Sequence, residues 1–242
     1  MSNPILNDER FSSSVVLDGE PMSIQGTMNK ILMLLACVVA GSVSGVYFLF
    51  SNPAFLGGIL GVAGFIAFLL VIVTCFNIKL AKFTAAPYAF LEGIVIGTIS
   101  AIFEKTFPGI VLQAVFGTFV VLFVMLMLYK AKMIQYTQKF QAVLTTCLLS
   151  VLAIYLIQFV AMLFGRSIPG IFEAGLVGIL FTLFLVVLAA MALIQDFFFI
   201  ENASQRLLSK DYEWYGAMGL MITLIWLYTN ILRLLAILNS RR

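Results

Sequence analysis

The sequence predicts an all-α membrane protein with seven spanning helices. Three observations carry this. Of 242 residues, 62% are hydrophobic and only 10% are charged, more apolar surface than a water-soluble core of this size can use. The apolar residues are gathered into seven runs, most near the roughly 20 residues that cross about 30 Å of hydrocarbon as a helix. The breaks between runs carry turn or charge signals. An open sheet would leave its edge polar groups unsatisfied in lipid, so the runs are read as helices.

In order, residues 1–28 form a polar segment with Asp8, Glu9, Arg10, Asp18 and Glu20 and no apolar stretch of the signal-peptide kind. Residues 29–242 form the transmembrane domain. Its runs are roughly 31–50, 54–76, 85–103, 107–129, 142–164, 172–198 and 212–238. Ser51-Asn52-Pro53 separates the first two, and Lys79 to Pro87 precedes the third. Glu104 to Pro108, Lys130 to Lys139, Gly165 to Gly170 and Glu201 to Asp211 separate the rest. The third run is the weakest, with Glu92 inside it and Pro87 near its start.

Lys79, Lys82, Lys130, Lys132, Lys139, Arg206 and Lys210 fall in loops 2, 4 and 6, against Lys105 and Arg166 in loops 1, 3 and 5. The positive-inside rule then places the N-terminus in the cytoplasm of a cytoplasmic membrane. The Arg241-Arg242 tail opposes this, as if the last run did not fully cross. PGIVLQAVFGTFVVLF from Pro108 and PGIFEAGLVGILFTLF from Pro169 share several residues 61 apart, a hint of duplication that apolar sequences also produce by chance. Gly41 and Gly45, then Gly57, Gly61 and Gly64, then Gly175 and Gly178 mark places for close helix packing, within the chain more than between copies.

The composition also excludes. Histidine is absent, which removes Ser-His-Asp and Cys-His catalysis and His-ligated metals. GSVSG does not centre a serine as GxSxG requires, so an enzyme is not expected. The last run has no lysine for a retinal Schiff base. Cys37, Cys75 and Cys147 lie in apolar runs without CxxC spacing and read as packing residues. A formal charge of +3 offers no nucleic-acid surface. No cofactor is expected. The partners are the lipid bilayer and, on one reading, another membrane protein, with the chain a monomer or weak oligomer.

Ionisable residues within apolar runs are costly in lipid and become the candidate site. Asp196 stands in LIQDFFFIEN, four residues short of the end of the greasy stretch. Glu92 stands in YAFLEGIVIG beside Gly93 and Gly97. Both fall in the inner half under the chosen topology. Two desolvated carboxylates disfavour ionising together, so such a pair holds a proton at low pH and a hard cation such as calcium when ionised. The competing reading has Asp196 ending its helix at the interface and Glu92 making an interhelical hydrogen bond. Arg233, with Glu104 and Glu173 as partners, reads as a structural ion pair or gate near the outer side. Thr223 and Asn230 either line a polar path or bond to neighbours.

LIQDFFFIEN and DYEWYGAMGLMITLIWLYTNILRLLAIL resemble the last two helices of the Bax inhibitor-1 family. PILNDERF, APYAFLEGIVIGTISAIFE and FPGIVLQAVFGTFVVLFVMLMLY resemble its bacterial branch. The resemblance spans nearly the whole chain. It implies seven helices with the last one central. For some members it also implies a pH-sensitive calcium leak gated by one aspartate on each of the last two helices. Asp196 matches the first aspartate, but the second falls near Thr223, where there is no acid. Either Glu92 takes that role or the leak is weakened or absent. The resemblance further implies a role in protease regulation, so a regulatory membrane protein without flux is the second expectation. A coupled transporter, recognised by concentrative uptake, is the third.

Overall fold

The computed structural model describes residues 20–51, 56–165 and 175–240. They form seven α-helices, each long and apolar enough to span a membrane. These are α1 (Ile24–Ser51), α2 (Leu56–Phe76), α3 (Ala81–Thr106), α4 (Ile110–Lys130), α5 (Gln138–Leu163), α6 (Leu176–Gln205) and α7 (Asp211–Asn239). A single 3₁₀ turn, Ile78–Leu80, leads into α3, and the Asn77 side chain caps it by accepting from Lys79 N.

Helices α1, α3, α5 and α7 extend beyond their apolar runs, and α6 does so at its C-terminal end, whereas α2 and α4 stay close to theirs. α1 begins at Ile24, so the polar segment expected over 1–28 is helical from there on. α3 is continuous through Pro87, which stands in its second turn, and through Glu92. α7 has 29 residues, about 43 Å at 1.5 Å per residue, enough to cross completely despite the basic tail. Arg241-Arg242, Arg166, Glu173 and the first residues of the second repeat, Pro169–Ala174, lie outside the described residues.

Buried hydroxyls cannot turn to water inside a bilayer, so they bond back to their own helix. Thr98 Oγ1 donates to Ile94 O (2.8 Å), Thr118 to Ala114 O (2.7 Å) and Thr182 to Gly178 O (2.7 Å). Polar residues are thereby carried at membrane depth without opening the backbone ladder.

The chain divides into two compact units. The first comprises residues up to Ile99 with Phe198–Ile222, the second Ser100–Phe197 with residues from Thr223 onward. Helices α3, α6 and α7 contribute residues to both. Half of the most apolar window of α7 is buried, the largest share among the seven, against 6% for α5.

In the first unit, α1 and α3 approach at backbone distance. A Cβ added to Gly41 would overlap the Phe90 carbonyl, and one on Gly45 the Ile94 carbonyl. On the other helix, a Cβ on Gly93 would meet Val38 and one on Gly97 would meet Ser42. Four glycines therefore interlock in one interface, as the GxxxG pair predicts for contact within the chain. Gly57, Gly61, Gly64 and Gly175 meet nothing within 4 Å, so the packing role expected of them is not seen among the described residues. On α2 those residues simply leave an open surface. The α2–α3 turn is closed instead by Thr74 Oγ1 and Thr84 Oγ1, 2.6 Å apart and buried.

The core of the second unit is Leu144, Val151, Leu185 and Leu188, from α5 and α6. Cys147, Tyr155, Phe181 and Trp226 pack around them. Cys147 is thus a packing residue, as expected from its apolar setting.

Candidate ion site

Asp196 is the centre of the site. α6 runs nine residues beyond it to Gln205, about 13 Å of further helix, so it does not end its helix as the competing reading had it. The helix continues because Phe197, Phe198, Phe199 and Ile200 extend the apolar run, and Ile200 is buried. Phe197 packs against Tyr129 of α4, ring centroids 5.8 Å apart.

The neighbour that the second unit supplies to Asp196 is Thr223. Its side chain, buried on α7, hydrogen-bonds the carboxyl group. Asp196 Oδ2 is buried and has no hydrogen-bond partner. A hydroxyl can donate one proton to a carboxylate, which leaves the second oxygen unsatisfied. An unsatisfied buried oxygen costs about 1–3 kcal/mol, and more when it carries charge. The Asp196 carboxyl thus has one oxygen engaged by Thr223 and one without a partner among the described residues.

The other predicted site residues divide. Glu92 lies on α3 in the first unit and Asp196 on α6 in the second; each is placed by its own surroundings. The ionisable neighbour of Glu92 in its unit is Tyr88, one turn earlier on the same helix. Glu104, expected as an ion-pair partner, caps a helix. Its two carboxylate oxygens accept from Gly109 N (2.6 Å) and Val111 N (3.0 Å), capping the N-terminus of α4. Gly109, with φ +86°, makes that turn. Arg233 is half-buried on α7, and its charge acts on Tyr155 of α5. Glu173, its other expected partner, lies outside the described residues. Asn230 is buried, and its Nδ2 donates to Trp226 O (2.7 Å), so it is engaged within its own helix, the bonding reading of the two. A further polar contact, Ser100 Oγ to Tyr228 Oη at 2.6 Å, joins α3 to α7 in the second unit.

Sequence reasoning missed Glu213. It lies in the first turn of α7, only 2% exposed, and pairs with Lys30 of α1, whose side chain is 14% exposed. Its Oε1 also accepts from Ser23 N (2.8 Å) and Ser23 Oγ (3.1 Å). Ser23 Oγ in turn accepts from Gly26 N, capping α1 (2.9 Å). A Cβ on Gly26 would overlap the Glu213 carboxylate. An acid in a first helical turn looks like an ordinary surface cap, and its partners lie some 190 residues away, so nothing local announced a buried charge. Beside it, Met22 is 3% exposed, and its N–H donates to Leu208 O (2.7 Å).

These contacts also bear on topology. Pro21 bridges to Ser209, and Lys82 Nζ lies 3.9 Å from Asp211 Oδ1. The start of α1, the α2–α3 turn and the α6–α7 loop thus share one end of the first unit, as alternating spans require.

Seven apolar helices with a carboxyl group held between the last two define a multi-pass membrane protein with an ionisable centre. The family model described as Bax inhibitor 1 like matches residues 3–240, and the chain belongs to that family. Comparison with curated proteins returns no match.

Proposed function

We propose that the protein is a non-enzymatic, pH-sensitive cation leak, with calcium as the cargo and Asp196 as its gate. The observation that carries this reading is the buried, unpartnered Oδ2 of Asp196 beside Thr223. A carboxyl group inside an apolar helix is stable either with a proton on it or with a cation against it. Protonation closes the site to cations by removing its charge. Ionisation makes one oxygen available as a hard ligand. Thr223 keeps the other oxygen occupied and the carboxyl oriented. With a hydroxyl where some relatives are implied to carry an acid, the gate is a single titrating group, and its pH response is a one-proton curve. Glu92, on α3 in the first unit, is a second intramembrane acid able to hold a proton or a cation. The charge pattern of the loops supports a cytoplasmic N-terminus, and the resemblance to the family's bacterial branch supports a bacterial cytoplasmic membrane.

The test is calcium entry into liposomes holding the purified protein, measured across pH for wild type, Asp196→Asn and Thr223→Val. Wild type leaks with a pH dependence that Asp196→Asn abolishes and Thr223→Val displaces. A wild type with no flux at any pH overturns the reading. The protein is then a regulatory membrane protein acting through a protein partner.

A further inference from the structure

At the end of the first unit, where α1 starts and α7 starts, lies a cavity of about 390 Å³. Its walls are Glu20, Ser23 and Lys30 from one side and Lys210, Glu213 and Trp214 from the other. Charges of both signs are paired across it: Lys30 with Glu213 on the floor, and Lys210 with Glu20 at the rim. Lys30 Nζ also stands 5.2 Å from the centre of the Trp214 ring.

The pairing leaves valency unused. Each ammonium carries three donors and each of these two has one carboxylate partner, so Lys30 and Lys210 both have donors to spare. Glu213 is occupied by Lys30 and Ser23, whereas Glu20 at the rim keeps acceptor capacity. The cavity is formally neutral. A simple anion meets two carboxylates in it, and a simple cation meets two ammonium groups. The ligand that matches it carries both signs, an anionic group for the two lysines and an N–H-bearing cation for Glu20.

The cavity also has an apolar exit. Met33 lines it and is 50% exposed. Beyond it on the same face of α1 come Ala36 and Ala40, both small and exposed, in a run that lies in the bilayer. A charged floor, an indole wall and an apolar exit onto lipid reproduce the layers of a membrane interface.

We propose that this cavity is a binding site for a zwitterionic phospholipid with a primary ammonium headgroup. Its phosphate lies between Lys30 and Lys210, its ammonium donates to Glu20, and an acyl chain leaves past Met33 along α1. Phosphate with lysine is a charge-assisted contact, and a primary ammonium can hydrogen-bond a carboxylate where a quaternary one cannot. The site is separate from Asp196 and does not depend on ion flux.

The experiment is native mass spectrometry of the full chain released from micelles with added phosphatidylethanolamine, phosphatidylcholine or phosphatidylglycerol. One phosphatidylethanolamine is retained, with a preference of roughly tenfold over phosphatidylcholine, the ratio expected for one charge-assisted hydrogen bond. Glu20→Gln/Lys210→Gln changes only the exposed rim, leaves the Lys30–Glu213 pair in place and loses that preference. Equal retention of the three lipids, or a preference that survives the double substitution, overturns the proposal. Displacement by soluble phosphoethanolamine at the concentration of the lipid itself overturns it too, because the source is then a soluble zwitterion.

Discussion

The Lys30→Met substitution probes the clamp between the first and last helices. In the wild type the Glu213 carboxylate is 2% exposed and held by Lys30, Ser23 N and Ser23 Oγ. Methionine keeps the length and apolar stem of lysine but removes the charge. Two neutral donors then face a buried carboxylate that has lost its counter-ion. Breaking a buried pair from one side costs about 3–5 kcal/mol, since the remaining charge stays desolvated. Removing both charges, as in Lys30→Met/Glu213→Leu, restores most of this, because neither desolvation penalty remains. Ser23 then loses an acceptor, so the recovery is incomplete. At roughly 2–4 °C per kcal/mol for a chain of about 240 residues, Lys30→Met lowers the melting temperature by roughly 6–20 °C. The assay is thermal unfolding of the purified protein in detergent, followed by thiol reactivity of the half-buried Cys37 and Cys147 with the exposed Cys75 replaced by serine. A Lys30→Met melting within 2 °C of wild type, or a double variant no better than the single one, would refute the reasoning (threshold set at the low end, about 1 kcal/mol).

Other outcomes follow from the same geometry. Gly93→Val drives a branched side chain into the Val38 backbone and costs at least about 1–3 kcal/mol, seen as loss of folded protein by fluorescence-detection chromatography. Gly61→Val, which meets nothing within 4 Å, leaves the elution profile unchanged. Glu104→Ala removes the acceptor of Gly109 N and Val111 N. It frays the start of α4 and raises hydrogen exchange at its first turn. Lys210 holds Glu20 below the usual carboxylate range, and Glu20 holds Lys210 above the usual ammonium range. The Glu20 contribution is therefore complete above its ordinary value of 4.5 and is lost as pH falls through the lowered one. The Lys210 contribution is complete below 10.5 and is lost as pH rises through the raised one. Glu20→Gln removes the acid-side step from a melting-temperature profile. High salt weakens both steps in the wild type, since the pair is exposed.

Much of the site was readable, but unevenly. Asp196 stood out because a charge inside an apolar run is rare for a solvation reason that needs no neighbour to state. What it meets was not readable from the residues alone; only the family resemblance set the position near Thr223 opposite it. Thr223 lies 27 positions along the chain, in another helix, and a threonine in a membrane helix ordinarily bonds its own backbone, as Thr98, Thr118 and Thr182 do. Glu104 was recognised as notable but its capping contacts were not, because a cap is decided by the path of the loop after it. Gly109 turns that path so that two N–H groups converge on the carboxylate. The glycines show the same limit. Gly41 and Gly61 look alike in sequence, yet one meets a backbone and the other meets nothing.

By itself the sequence determined that the chain is a seven-helix membrane protein, where each span lies, and which side chains are too costly in lipid to be incidental. Those are properties of composition and length, set by the free energy of moving each residue between water and hydrocarbon. Tertiary structure decided which helices touch at backbone distance, that Asp196 sits mid-helix against Thr223 with one oxygen unsatisfied, and that Glu213 is a buried anchor for α1. These depend on groups far apart in the chain arriving at one place. A buried polar atom acquires its role from the partner it meets there, or from the partner it lacks.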